Sequence, residues 1–118
     1  MSTAKGRKAE EQATQFLLQQ GYEVLARNVR AGRGELDIIA KQGDILVFVE
    51  VKGHRTRDAS LQAVTEDKCM RLRSAAEAWL YRHPQHVPLQ CRFDLIMVSP
   101  PSLVKPWVGM EHMQDVFR

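Results

Sequence analysis

Little in this 118-residue sequence is built for crosslinking, metal–thiolate chemistry or membranes. It has two cysteines, Cys69 and Cys91, with no Cys-x-x-Cys pair and no zinc-type spacing. That excludes a disulfide framework and a zinc ribbon, and both residues read as reduced, semi-buried thiols. No apolar run approaches the ~18 residues that a membrane span needs. The opening MSTAKGRKAEEQ has no apolar stretch of the secretory kind. A cytoplasmic protein with no membrane partner is expected. Repeats and low-complexity segments are absent, as are a Gly-rich phosphate loop and a Ser-His-Asp arrangement. The charge excess is small, at +3. It permits nucleic-acid binding without demanding it.

What is present suffices for one folded domain over residues 1–118, with 44% apolar residues to build its core. Residues 5–20 carry Ala9, Ala13, Phe16 and Leu17 at helical spacing, and Gly21 is a natural stop. Ser2 or Thr3 would cap this helix. Glu10 falls on or beside its apolar face, whereas Glu11 points further round. Residues 22–28 read as a short strand. Arg27, Arg30 and Arg33, with Gly32 and Gly34, then read as a basic flexible loop. Residues 35–40 and 45–52 read as strands joined by a turn over residues 41–44. The second is nearly continuous in apolar residues, as in a strand buried on both faces.

Residues 53–64 read as a polar loop. Thr65, followed by Glu66 and Asp67, resembles an N-cap opening a helix that runs to about Arg82. Leu72, Ala75, Ala76, Trp79 and Leu80 form its apolar stripe. A loop over residues 85–90 leads into a buried strand over residues 91–98. The tail from Lys105 to Arg118 fits strand or helix equally. A helix between the third and fourth strands allows a parallel crossover. The expectation is therefore an α/β fold, a single domain with a mixed central β-sheet flanked by helices.

One stretch is expensive. Glu35, Asp37, Glu50 and Lys52 sit inside the two apolar runs of GELDIIA-KQGD-ILVFVEVK. Burying charge there is costly unless the groups are paired or hold an ion. Alternation puts Glu50 and Lys52 on one face, and Glu35 and Asp37 on one face of the neighbouring strand. Pairing through the turn brings Asp37 toward Glu50. Two carboxylates there suit a hard divalent cation, Mg²⁺ or Mn²⁺, completed by waters and substrate phosphate. Lys52 beside them is a charge that orients water or steadies phosphate, as phosphodiester cleavage requires.

An acid on one strand and Glu-x-Lys on the next resembles the signature of the PD-(D/E)XK nucleases. Leu36 stands where that signature usually has proline. A closer resemblance covers nearly the whole chain: GRKAEEQATQFLLQQGYEVLARN, GELDIIA, VFVEVK, a lone Lys68 and RFDLIMV are similar to the YraN-like bacterial proteins. These are of unestablished function and are assigned to the restriction-endonuclease-like fold. Their opening Gly-x-x-Gly-Glu-x-x-Ala motif falls on Gly6–Ala13, with Ala9 in place of the second glycine. The resemblance implies Asp37, Glu50 and Lys52 as catalytic residues, and Glu10 as a further metal ligand. The family often has Thr-Arg after its Glu-Val-Lys, where this chain has Gly53-His54 and then Arg55. His54 and Arg55 are thus candidate phosphate contacts, with His54 alternatively a general base.

Lys68 also extends the apolar stripe of its helix toward the N-terminus, where a cation opposes the macrodipole. A phosphate or a site carboxylate would offset that, and so would an ordinary salt bridge. Glu35 is a supporting residue or an arginine's partner. Asp94 is a residue behind the site or a turn cap. The arginines at 27, 30, 33, 55, 57, 71 and 73 form either a phosphate-binding face or plain solvated surface. His83-x-x-His86 surrounds Pro84 and lacks a third ligand, so it reads as structural. Trp79 belongs to the core, and Trp107 is a tail anchor or an oligomer contact.

Three functions remain. The first is a metal-dependent nuclease selective for branched or single-stranded substrates, with DNA ahead of RNA and a homodimer as its assembly. The second is a non-catalytic nucleic-acid-binding accessory that keeps the nuclease fold. The third is a structural or interaction protein whose strand charges only pair.

Overall fold

In the computed structural model, residues 4–53, 57–62, 64–87, 89–104 and 106–117 are described. The chain runs through α1 (Ala4–Gln19), β1 (Glu23–Ala31), β2 (Gly34–Gln42) and β3 (Ile45–Gly53). There follow α2 (Arg57–Gln62), α3 (Glu66–Arg82), a 3-10 turn (Pro84–His86), β4 (Gln90–Ser99) and β5 (Gly109–Met113). All five strands form one sheet in the order β1-β2-β3-β4-β5. Only the β3–β4 pair is parallel, and α3 lies in the crossover between them. The α/β expectation, a mixed sheet between helices, is what the chain forms.

The apolar spacings explain the layers. Ala9, Ala13 and Leu17 of α1 join Ile38, Ala40, Val47, Val49, Ile96 and Val98 in one core. Leu72, Ala75, Ala76 and Trp79 of α3 join Ile39, Leu46, Phe48 and Leu95 in the other. Strand residues of opposite parity thus feed opposite faces, as the pleat requires. Helix α1 closes with Gly21 at φ 89, the Gly21 N–H donating to the Leu18 carbonyl and the Tyr22 N–H to the Leu17 carbonyl. Helix α3 opens where expected, the Thr65 hydroxyl accepting from the Lys68 N–H at 3.1 Å. The expected caps Ser2 and Thr3 lie outside the described residues. Among the described residues no helix is long and apolar enough to cross a membrane.

Three local expectations are corrected, and the open choice at the tail is settled. The basic stretch after residue 28 is strand rather than loop: β1 runs to Ala31 and pairs in register with β2, Arg30 opposite Glu35 and Ala31 opposite Gly34. Arginines there did not prevent a strand because β1 is an edge strand, and Arg30 is exposed. The polar stretch after β3 contains the short helix α2. The tail adds β5, antiparallel to β4. Cys91 is exposed rather than semi-buried, while Cys69 is buried, and both thiols are free.

Candidate metal and phosphate site

The site forms where the sheet forks. Strands β2 and β3 pair from Gln42–Ile45 up to Ile38–Val49. The next pair would be Asp37 with Glu50, and there the ladder stops. On the other side of β2, pairing with β1 skips the position where Asp37 would face Asn28, which has φ 52. Asp37 thus sits at a break on both sides. Alternation slips there too, since Leu36 packs with the α3 core although Ile38 and Ala40 pack with the α1 core. The Asp37 side chain takes over for the missing ladder: its Oδ2 accepts from the Val51 N–H at 2.8 Å.

Glu50 is 5% exposed on β3. Its Oε1 lies 3.3 Å from Lys52 Nζ and 3.2 Å from Lys68 Nζ. Lys52 comes from the same face of β3, two residues on. Lys68 comes from the first turn of α3, on the face of the sheet where Leu46 and Phe48 pack. Glu50 is therefore the partner that offsets a lysine at a helix N-terminus. Glu10 is 6% exposed on α1. Its turn is tied by the Thr14 hydroxyl, which donates to the Glu10 carbonyl at 2.8 Å.

The electrostatics of Asp37 report this crowding. Burial pushes its pKa up, the Glu50 carboxylate adds to that, and Glu10 adds more. The Val51 N–H and the Lys52 ammonium work in the other direction. The balance leaves Asp37 at about 7 instead of 3.8. A carboxyl held there is short of positive charge, although two ammonium groups already sit on its neighbour. Among the described residues no three His, Cys, Asp or Glu side chains are gathered so as to hold a metal ion by themselves. The donor set is two carboxylates at the fork with a third acid nearby.

The chain thus brings together Asp37, Glu50, Lys52 and Lys68, with Glu10 acting on Asp37 from α1. Glu35 and Arg33 are not among them. Both line a neighbouring cleft, and Glu35 faces Arg30 across β1–β2. His54 and Arg55 lie outside the described residues, and the Arg57 side chain likewise. Arg27 is bound to Glu11 at 2.7 Å rather than joining a phosphate face. His83 and His86 both stack on Trp79, and His83 Nδ1 lies 2.8 Å from the Trp79 carbonyl, so they are structural as read. Trp79 is a core residue and Trp107 is 61% exposed.

Asp94 belongs elsewhere. It is fully buried and lies on the α1 side of the sheet, opposite Glu50. It accepts from Arg92 Nε at 2.9 Å, from His112 Nε2 at 2.7 Å and from the Asp115 N–H at 2.9 Å. Arg92 also donates to the Tyr22 hydroxyl at 2.7 Å. The sequence reading missed this network. Its signal was Arg92-x-Asp94 within an apolar strand, the same kind of expense that singled out Glu50-x-Lys52.

Comparison with known proteins finds one family. Residues 9–98 match the model of the uncharacterised protein family UPF0102, a span that holds Glu10, Asp37, Glu50, Lys52 and Lys68. A UPF0102 protein of Nitrobacter winogradskyi is 40% identical over 88% of this chain and 88% of its own length. One from a Bradyrhizobium species is 44% identical over 83% of this chain and 72% of its own. Another, from Rhodopseudomonas palustris, is 42% identical over 83% and 75% respectively.

Proposed function

The chain belongs to the uncharacterised protein family UPF0102, and from that premise we propose that it is a metal-dependent nuclease of the PD-(D/E)XK type. One observation carries the reading: two carboxylates and two ammonium groups from β2, β3 and α3 converge at the one place where the sheet forks. A structural role alone has no need of Asp37 next to Glu50, because the Glu50 carboxylate raises the cost of ionising Asp37.

The donor chemistry fits Mg²⁺ or Mn²⁺. Such an ion is satisfied by one or two carboxylates, with waters and phosphate oxygens for the rest. Asp37 and Glu50 would hold it, and Glu10 would add negative field from α1. When bound, it supplies Lewis-acid polarisation of a phosphoryl oxygen and lowers the pKa of water. The chain's own groups do the remainder. Lys52, two residues beyond Glu50 on the same strand face, orients the water that attacks phosphorus. Lys68 meets the negative charge that grows on the phosphoryl oxygens as the bond to the leaving sugar oxygen breaks. Substrate specificity for branched or single-stranded DNA belongs to the same proposal.

The test is nicking of labelled branched and single-stranded substrates with Mg²⁺ or Mn²⁺. Glu50→Ala and Lys52→Ala should each reduce cleavage by at least 100-fold, in the range general-acid–base and electrostatic groups contribute. Calorimetric titration with Mn²⁺ should give binding to the wild type that Asp37→Ala loses. A second reading is a nucleic-acid-binding protein that does not cut. The pairing of Glu50 with both Lys52 and Lys68, at 3.3 and 3.2 Å, favours it, since it already neutralises one of the two carboxylates. Tight nucleic-acid binding with no cleavage in either metal would select it.

A further inference from the structure

Beside the carboxylates lies a cleft of about 650 Å³ that the nuclease reading leaves unassigned. One wall is residues 30–35, the tip of the β1–β2 hairpin. The other is the exposed side of α3, with Lys68, Arg71 and Arg82. Among the described residues, Arg30 and Arg33 bring the cations to five, and Glu35 is the only carboxylate lining it.

The walls are fixed to one another. A Cβ on Gly32 would lie 2.7 Å from the Ser74 carbonyl oxygen, and one on Gly34 2.7 Å from the Arg71 carbonyl oxygen. The hairpin backbone therefore touches the helix backbone, which only glycine permits. The Arg33 N–H adds a bond to Ser74 Oγ at 3.1 Å. The arginines accordingly project from a rigid frame rather than a loose loop.

Three features describe the ligand. The cations along α3 run from Lys68 to Arg82, about 21 Å at 1.5 Å per residue, so the ligand is long and repeatedly anionic. Guanidinium groups match phosphate oxygens. Among the described residues no aromatic side chain lines the cleft, so they give bases no stacking platform and the backbone is what they hold. A duplex offers phosphates from a convex surface, whereas the backbone of a single strand can follow a concave cleft between hairpin and helix. Lys68 belongs to both sites, since it lines the cleft and its Nζ is 3.2 Å from Glu50 Oε1.

We propose that this cleft binds single-stranded nucleic acid through its phosphates and leads it past Lys68 to Asp37 and Glu50. The last step, delivery to a cutting site, rests on the nuclease reading; the binding does not.

The experiment is fluorescence anisotropy of the full chain with a labelled 15-nucleotide oligothymidylate and a blunt duplex of equal length. EDTA is present, so nothing is cut. Single strand should bind at least tenfold tighter than duplex. Its log affinity should fall with log salt at about 0.7 per phosphate neutralised. Arg33→Ala and Arg71→Ala are exposed changes; Arg71 gives up only a surface pair with Asp67 at 3.1 Å, so each should move the melting temperature little. Each should weaken binding about three- to tenfold and flatten the salt slope by about 0.7. Arg33→Glu should weaken it further. Equal binding of duplex, or arginine variants that bind like wild type, would overturn the proposal. Binding that depends on the arginines while added Mn²⁺ gives no cleavage keeps the cleft and removes the nuclease reading.

Discussion

At Asp37 one carboxyl carries a conflict that can be measured. Its folded pKa, about 7, lies above its ordinary 3.8, because burial and then the Glu50 carboxylate disfavour the charged form. Since the folded value is raised, the folded state binds a proton that the unfolded state has lost between those two pH values. The stability this gives is full below about pH 4 and is gone once the pH passes 7. Replacing Asp37 by Asn removes the penalty of the ionised form while keeping a group that can accept from the Val51 N–H. In EDTA at pH 8, Asp37→Asn should therefore be more stable than wild type by roughly 2 kcal/mol, discounted because Asp37 is only half-buried. The gap should close as the pH falls to 4. Urea unfolding at both pH values checks this, and a variant less stable at pH 8 would refute the conflict. Asp37, Glu50 and Lys52 were legible in the sequence because charge in an apolar strand is costly wherever the strand lies. The conflict itself was not legible. It arises from the fork at Asn28 and Asp37, where backbone pairing is lost on both sides, and no spacing rule encodes that break.

At the scale of elements, the hairpin β1–β2 shows why local signals misled. Arginine and glycine over residues 27–34 read as a flexible loop, yet Gly32 and Gly34 are there for close approach to α3. Glycine's two uses, loose turn and tight contact, look identical in sequence. The long-range partners, the Ser74 and Arg71 carbonyls, decide between them. A methyl group at position 34 would meet the Arg71 carbonyl at 2.7 Å and push hairpin from helix. Gly34→Ala should cost about 1–3 kcal/mol, as overpacking does, and should also widen the cleft. Guanidinium unfolding gives the first quantity and the anisotropy assay the second. No loss of stability would mean that the hairpin tip moves freely. Helices α1 and α3 were read nearly to the residue because their apolar periods, the Gly21 stop and the Thr65 cap are local. Strand β5 was not, because pairing with β4 alone makes it a strand.

At the scale of the molecule, the two faces of the sheet are held by different means. The α3 face packs Trp79 against Phe48 and carries Glu50 with its lysines. The α1 face is tied by Asp94, which links β4 to β5 through His112 and to the following turn through the Asp115 N–H. Arg92 extends the tie to Tyr22, at the end of α1. Phe16 and Tyr22 close over His112 edge-on. Burial pushes the Asp94 carboxyl up, but the hydrogen bonds from His112, Arg92 and the Asp115 N–H outweigh it and hold its pKa below the usual value. A lowered folded value means stability that is present above the unfolded pKa and is lost as the pH falls through the folded one. Asp94→Ala leaves the Arg92 guanidinium, itself largely covered, without its carboxylate. Breaking a buried pair from one side costs about 3–5 kcal/mol, which is much of what a domain this size has. The tail should loosen first, because His112 and Asp115 lose a shared anchor, whereas Glu50 on the other face keeps its lysines. Hydrogen exchange should show β5 amides losing protection in Asp94→Asn while those of β3 keep it. Equal loss in both strands would mean that the two faces unfold as one unit and that the Asp94 tie is global rather than confined to the tail.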